Sequence, residues 1–130
     1  MTGEKARAIR ILLVEDAAAF AHLVREYITD ALPGQCEVEH VEMLSEAISS
    51  LQSSSFDLIL TDLSLPDSSA EDTLSRIHAH ACDTPIVVVS GYQAIEPANP
   101  AYSGLAKACL SKRSVSEATL KEVISRYVFN

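Results

Sequence analysis

The chain has 130 residues, 48% of them hydrophobic and 22% charged, the composition of a globular domain rather than of a disordered segment. Eighteen Asp and Glu against ten Lys and Arg leave a formal charge of −8, which argues against non-specific binding to nucleic acid or anionic lipid, since both need a positive face. Cys36, Cys82 and Cys109 have no CxxC spacing and indicate neither a disulfide framework nor a zinc site.

In chain order, the first apolar run is Ile11-Leu12-Leu13-Val14, continuous rather than alternating, which predicts a parallel strand covered on both faces. Phe20, Leu23, Val24, Tyr27, Ile28 and Ala31 then recur at helical spacing, and Pro33 and Gly34 close that stripe. A weaker strand is expected from Glu37 to Val41, followed by the helical stripe Leu44, Ala47, Ile48 and Leu51, whose end frays through Ser49 to Ser55. Leu58-Ile59-Leu60 is the third strand. Ala70, Leu74, Ile77 and Ala81 form the next helix, with Ser68 or Ser69 as N-cap and Glu71 or Asp72 completing a capping box. Ile86-Val87-Val88-Val89 is the fourth strand. Beyond it Pro97 and Pro100 each remove a backbone donor, so the fourth helix is expected to be short or irregular, capped by Asn99. A fifth strand spans Ala108 to Leu110. Leu120, Val123, Ile124, Tyr127 and Val128 mark the last helix, opened by the box Ser114-Val115-Ser116-Glu117.

Strands and helices thus alternate five times, which predicts an α/β domain with a parallel sheet and right-handed crossovers. Such sheets place their ligand site at the C-terminal strand ends, near the point where strand order reverses. The residues at those ends are Glu15 and Asp16 after the first strand, Asp62 after the third, Ser90 after the fourth and Lys112 after the fifth. In a sheet of order 2-1-3-4-5 the first and third strands are neighbours. Glu15, Asp16 and Asp62 then converge, with Ser90 and Lys112 opposite. Three carboxylates so placed repel one another unless a cation joins them, and Mg²⁺, a hard ion held by a few carboxylates and a phosphate, suits the set. A carboxylate can also attack phosphorus to form an acyl phosphate, with Mg²⁺, Lys112 and the Ser90 hydroxyl neutralising the phosphoryl oxygens.

From about Arg10 to Tyr127 the sequence resembles the receiver domain of two-component response regulators, through ILLVED, FDLILTDLSLPDSS, PIVVVSG and the lysine of CLSK. The resemblance implies a doubly wound, five-stranded, flavodoxin-like (βα)5 fold. It also implies that Asp62 is the phosphoacceptor and that Glu15 and Asp16 are the acidic pair that holds Mg²⁺. Ser64 would give its backbone carbonyl to the metal, Ser90 would be the switch hydroxyl, and Lys112 would meet the phosphoryl group. The implied donor is a sensor histidine kinase or phosphotransfer protein; the implied recipient is a downstream protein target or effector domain. No contact with nucleic acid or membrane is expected, and no enzymatic activity beyond self-modification.

The chain departs from the family pattern at four places. Arg113 stands where a proline usually follows the lysine, Cys109 where an aromatic switch ring usually sits, and Ala70 where a glycine commonly closes the third loop; the Pro97–Pro100 pair is the fourth. Without a ring at Cys109, Tyr92 is the nearest aromatic to serve as a switch or to screen the phosphoryl group, and the response is expected within the Gly91–Gly104 segment. The alternative is a degenerate receiver that serves as a non-switching docking module. A flavodoxin-like cofactor binder would need a loop of backbone donors after the first strand, where this chain has Glu15-Asp16-Ala17-Ala18. A phosphatase with an aspartyl nucleophile would want a second acid where Ser64 stands. His22, His40, His78 and His80 show no metal spacing and read as surface or core-edge residues. Cys36 and Cys82 read as small buried fillers, and Asp57 and Asp67 as strand-entry and turn residues. The first ten residues lack the apolar core of a signal peptide, and no run approaches the ~20 residues of a membrane span. A single cytoplasmic receiver domain over residues 1–130 is expected, either a stand-alone regulator or a piece of a longer protein.

Overall fold

The computed structural model describes residues 8–91 and 104–129. Five strands, β1 (Ile9–Val14), β2 (Cys36–Val41), β3 (Leu58–Thr61), β4 (Ile86–Ser90) and β5 (Ala108–Ser111), form one sheet. All pairings are parallel, in the order β2-β1-β3-β4-β5. The described helices are α1 (Ala18–Ala31), α2 (Leu44–Ser53), α3 (Ala70–Ala81) and α4 (Glu117–Val128), with a 3₁₀ turn at Lys112–Ser114. This is the doubly wound fold expected from the sequence. The expected fourth helix near Pro97, Asn99 and Pro100, and Tyr92 with it, lie outside the described residues. No described helix is long and apolar enough to cross a membrane.

The continuous apolar runs are explained by two cores, one on each face of the sheet. Ile9, Ile11 and Leu13 of β1, Leu58 and Leu60 of β3, and Val87 and Val89 of β4 pack with Val24 and Ile28 of α1 and Leu120 and Ile124 of α4. The alternate residues Leu12, Val14, Ile59, Ile86 and Val88 pack on the other side with Leu44, Ile48, Leu74 and Ile77 of α2 and α3. Each such aliphatic side chain, fully withdrawn from water, contributes about 1.5–3 kcal/mol. The edge strand β2 is only half-buried, so its sequence CEVEHV carries a weaker signal.

Turns follow their residue types with one exception. Pro33 and Gly34 (φ +72°) are the central pair of a turn closed by Gln35 N–H to the Leu32 carbonyl at 3.1 Å, the Pro-Gly order of a type II turn. After α3, Thr84 N–H closes on the Ala81 carbonyl at 3.0 Å. Cys82 there has φ 57° and ψ −118°, the first central position of a type II′ turn, which glycine normally fills. The expectation that Cys82 is a buried filler is therefore corrected: the buried stripe ends at Ala81 and this turn leaves Cys82 exposed. Cys36 is half-buried.

Helix starts are also specific. Ser69 caps α3 by accepting from Asp72 N–H at 3.2 Å. The box expected at Ser114–Glu117 is instead formed by Ser116 and Thr119, each side chain accepting from the other's backbone N–H, at 3.2 and 2.8 Å. Ser114 is taken up by the 3₁₀ turn, which Ser111 caps by accepting from Arg113 N–H at 3.1 Å, so the helix starts later. At the opposite end of the sheet from the carboxylates, Arg10 N–H donates to Asp57 Oδ2 at 2.8 Å and Asp57 N–H to the Arg10 carbonyl at 2.7 Å. Asp57 is thus the strand-entry residue expected.

Candidate functional site

β1 and β3 are neighbours with Val14 opposite Thr61, so the residues that follow them, Glu15 and Asp62, emerge side by side. Each ladder extends one bond further. Glu15 N–H donates to the Val41 carbonyl and Asp62 N–H to the Val14 carbonyl, both at 2.9 Å. Glu15 is 1% exposed and Asp62 7%, while Asp16 is exposed. One carboxylate oxygen from each of the three lies within 4.8 Å of the others.

Lys112 closes this cluster from the end of β5. Its ammonium is 3.0 Å from each oxygen of Glu15 and 3.2 Å from Oδ2 of Asp62. Burial raises the carboxyl pKa of Glu15 above the usual range, and the charge of Asp62 adds to that rise; Ala17 N–H, donating at 3.0 Å, and Lys112 offset it only in part. Burial works to lower the pKa of Lys112, yet its bond to Glu15 and the charges of Asp62 and Glu15 prevail and hold it above its ordinary value. The Asp62 carboxylate is itself divided. Oδ1 accepts from Leu63 N–H at 2.7 Å and Ser64 N–H at 3.3 Å, while Oδ2 faces Lys112.

The donor chemistry fits a magnesium ion. Three carboxylates around a single ammonium leave negative charge in excess, all donors are hard oxygens, and Asp16 opens the cluster to solvent. Ser90 ends β4 opposite Ser111 and is buried, at the end of the strand next to β3, which Asp62 follows. Ser64 is exposed in the loop after β3. Cys109 pairs with Val88 across the β4–β5 ladder and is half-buried against the α2–α3 core; burial raises its thiol pKa. The bond between Lys112 and Arg113 is trans.

Three supporting residues escaped the sequence reading. His40 Nε2 lies 2.7 Å from the Glu15 carbonyl; a carbonyl only accepts, so this ring nitrogen carries the proton. Asp67, read as a turn residue, accepts from Leu44 N–H at 2.8 Å and Ser45 N–H at 3.0 Å. It thus ties the loop that follows Asp62 to the start of α2. Phe20 presents its ring to Lys112, with Nζ 4.7 Å from the ring centre. All three contacts are long-range in sequence, and no local pattern marks them.

Residues 11–125 match the response regulator receiver domain family. Regulatory protein LuxO of Vibrio vulnificus is 36% identical over 86 residues, which cover 66% of this chain and 18% of that protein; the matched stretch is thus under a fifth of the relative's length. The receiver domain of a putative LuxO repressor protein from Vibrio parahaemolyticus superposes with a TM-score of 0.81 at 28% identity, covering 95% of this chain and 92% of that one. The receiver domain of a sensor histidine kinase from Pseudomonas aeruginosa, solved with a magnesium ion coordinated in its active site cleft, has a TM-score of 0.80 at 19% identity, covering 95% and 100%.

Proposed function

Because the chain belongs to the response regulator receiver domain family, we propose that Asp62 accepts a phosphoryl group in a Mg²⁺-dependent reaction and that the modified domain changes its protein contacts. The observation that carries this reading is the meeting of Glu15, Asp16 and Asp62 within 4.8 Å, with Lys112 against Oδ2 of Asp62. Two backbone N–H groups hold Oδ1 and only Lys112 faces Oδ2 among the described residues, so Oδ2 is the oxygen that attacks as the ammonium turns to the incoming phosphoryl oxygens. The new bond runs from Oδ2 to phosphorus, and the bond from phosphorus to the donor, a histidine nitrogen or an acyl oxygen, breaks in line with it. Lys112 meets one phosphoryl oxygen and the Ser90 hydroxyl donates to another. Bound by Glu15, Asp16, Asp62 and the Ser64 carbonyl, magnesium supplies positive charge against the phosphoryl oxygens. The ion held by the Pseudomonas receiver supports that assignment.

The donor in this reading is a sensor histidine kinase or phosphotransfer protein, and the recipient a protein target or effector domain. A charge of −8 argues against contact with nucleic acid, which requires a positive face. Residues 1–130 act as one receiver domain, placed in the cytoplasm, where such a donor works. Nothing favours the docking-only alternative, which has no use for this convergence of charged groups. The test is incubation with acetyl phosphate and Mg²⁺, read by intact mass. Wild-type protein gains one alkali-labile phosphoryl group and Asp62→Asn gains none; a phosphoryl group that persists in Asp62→Asn overturns the assignment.

A further inference from the structure

Lys112 reaches the carboxylates along a defined route, and its two walls come from different elements. Its stem passes Gly91, where an added Cβ would lie 3.4 Å from Lys112 Cδ. Its ammonium arrives under the ring of Phe20, third residue of α1, 4.7 Å from the ring centre. Ala17, Ala18 and Ala19 precede Phe20, so this ring is the first large side chain after the acidic pair. Phe20 is half-buried and packed on the α1–α4 core, which fixes the ring independently of Lys112.

We propose that Phe20 is a positioning residue that keeps the Lys112 ammonium at the mouth of the Asp62 pocket, an inference that rests on the phosphoryl-acceptor reading above. Among the described residues Lys112 has three partners, Glu15, Asp62 and the ring. A cation among the carboxylates takes up the oxygens that Lys112 holds and repels its ammonium. The side chain is 23% exposed, so water is open to it. The face of an aromatic ring attracts an ammonium without competing for carboxylate oxygens. Phe20 therefore keeps Lys112 in reach of Asp62 when both carboxylates are occupied, ready for the incoming phosphoryl oxygens.

The test is the initial rate of phosphorylation by acetyl phosphate at saturating Mg²⁺. Phe20→Leu, which keeps apolar bulk and loses the ring face, should slow it about three- to tenfold. Phe20→Tyr, which keeps the face, should retain the wild-type rate. In a Lys112→Ala background Phe20→Leu should add no further loss, the mark of a residue acting through Lys112. A wild-type rate in Phe20→Leu, an equal loss in Phe20→Tyr, or a loss that persists without Lys112 overturns the proposal. Proton NMR of the metal-free protein separates this from failure of the phosphoacceptor assignment, because it needs no phosphorylation. The Lys112 ε-methylene protons should be shifted upfield by the ring in wild type and Phe20→Tyr, and not in Phe20→Leu; equal shifts in all three overturn the proposal, even if Asp62 gains no phosphoryl group.

Discussion

The ammonium of Lys112 lies 3.2 Å from Oδ2 of Asp62, and it spans both oxygens of Glu15 at 3.0 Å. One lysine thus occupies the two buried carboxylates, so in the proposed reading lysine and metal would compete for them until a phosphoryl group gave the lysine a partner of its own.

Lys112→Ala should therefore tighten Mg²⁺ binding in the absence of phosphate while slowing phosphorylation. Loss of one charge-assisted contact, about 1.5–3 kcal/mol, corresponds to a fall in Kd of roughly tenfold or more. Calorimetric titration of MgCl2 into the metal-free protein measures it. An unchanged or weaker affinity would show that Lys112 does not compete with the ion.

Magnesium should stabilise the fold by mass action, since the folded chain gathers the three carboxylates and the unfolded chain does not. Millimolar MgCl2 should raise the melting temperature of wild type by a few degrees and leave Asp16→Ala unmoved, against NaCl of equal ionic strength. Equal rises in both proteins would place the ion elsewhere.

The carboxyl pKa of Asp67 is held below its ordinary value of 3.8, first by the Leu44 N–H and then by that of Ser45. A carboxylate depressed on folding stabilises the protein above its unfolded pKa, and that contribution is lost as pH falls through the folded one. Urea unfolding between pH 5 and pH 2.5, window limits set roughly by carboxyl titration, should show stability declining toward acid more steeply in wild type than in Asp67→Asn. Parallel curves would remove Asp67 as the source.

Cys82→Gly should stabilise the protein. A non-glycine residue at φ 57°, ψ −118° costs about 1–3 kcal/mol, against about 0.5–1 kcal/mol for the extra freedom of glycine in the unfolded chain. A net gain of about 1 kcal/mol should raise the melting temperature by roughly 4 °C, measured by scanning calorimetry. A lower melting temperature would mean that the Cys82 side chain supports the turn.

Much of the fold and part of the site could be read locally. The four-residue runs ILLV and IVVV announce two-faced burial by being continuous, and strand order then brings Glu15 and Asp62 together without further information. The unread contacts were those between segments far apart in the chain. Asp67 has the composition of any turn residue until the start of α2 is placed beside it, and His40 is one of four unremarkable histidines until β2 aligns with β1. The misplaced box before α4 has a local cause. Ser114 and Ser116 are equivalent as caps, and the choice falls to Ser111, two elements back, which draws Ser114 into the 3₁₀ turn.

The central strands also carry a cost that their polar ends resolve. Side chains alternate between two apolar cores along β1, so sliding β1 by one residue against β3 would exchange the faces and still bury hydrocarbon on both. Elsewhere such a slip is forbidden because it turns apolar residues to water; here that penalty is largely missing. What distinguishes the native alignment is the polar residue at each end of the run. The reciprocal Arg10–Asp57 pair marks one limit, and Glu15 with Asp62, which sliding would draw between the helices, marks the other. The acidic residues at the pocket thus act as molecular stops for strand alignment. Glu15→Leu would lengthen the apolar run of β1 by one residue, and with it the chance that the chain folds one step out of register.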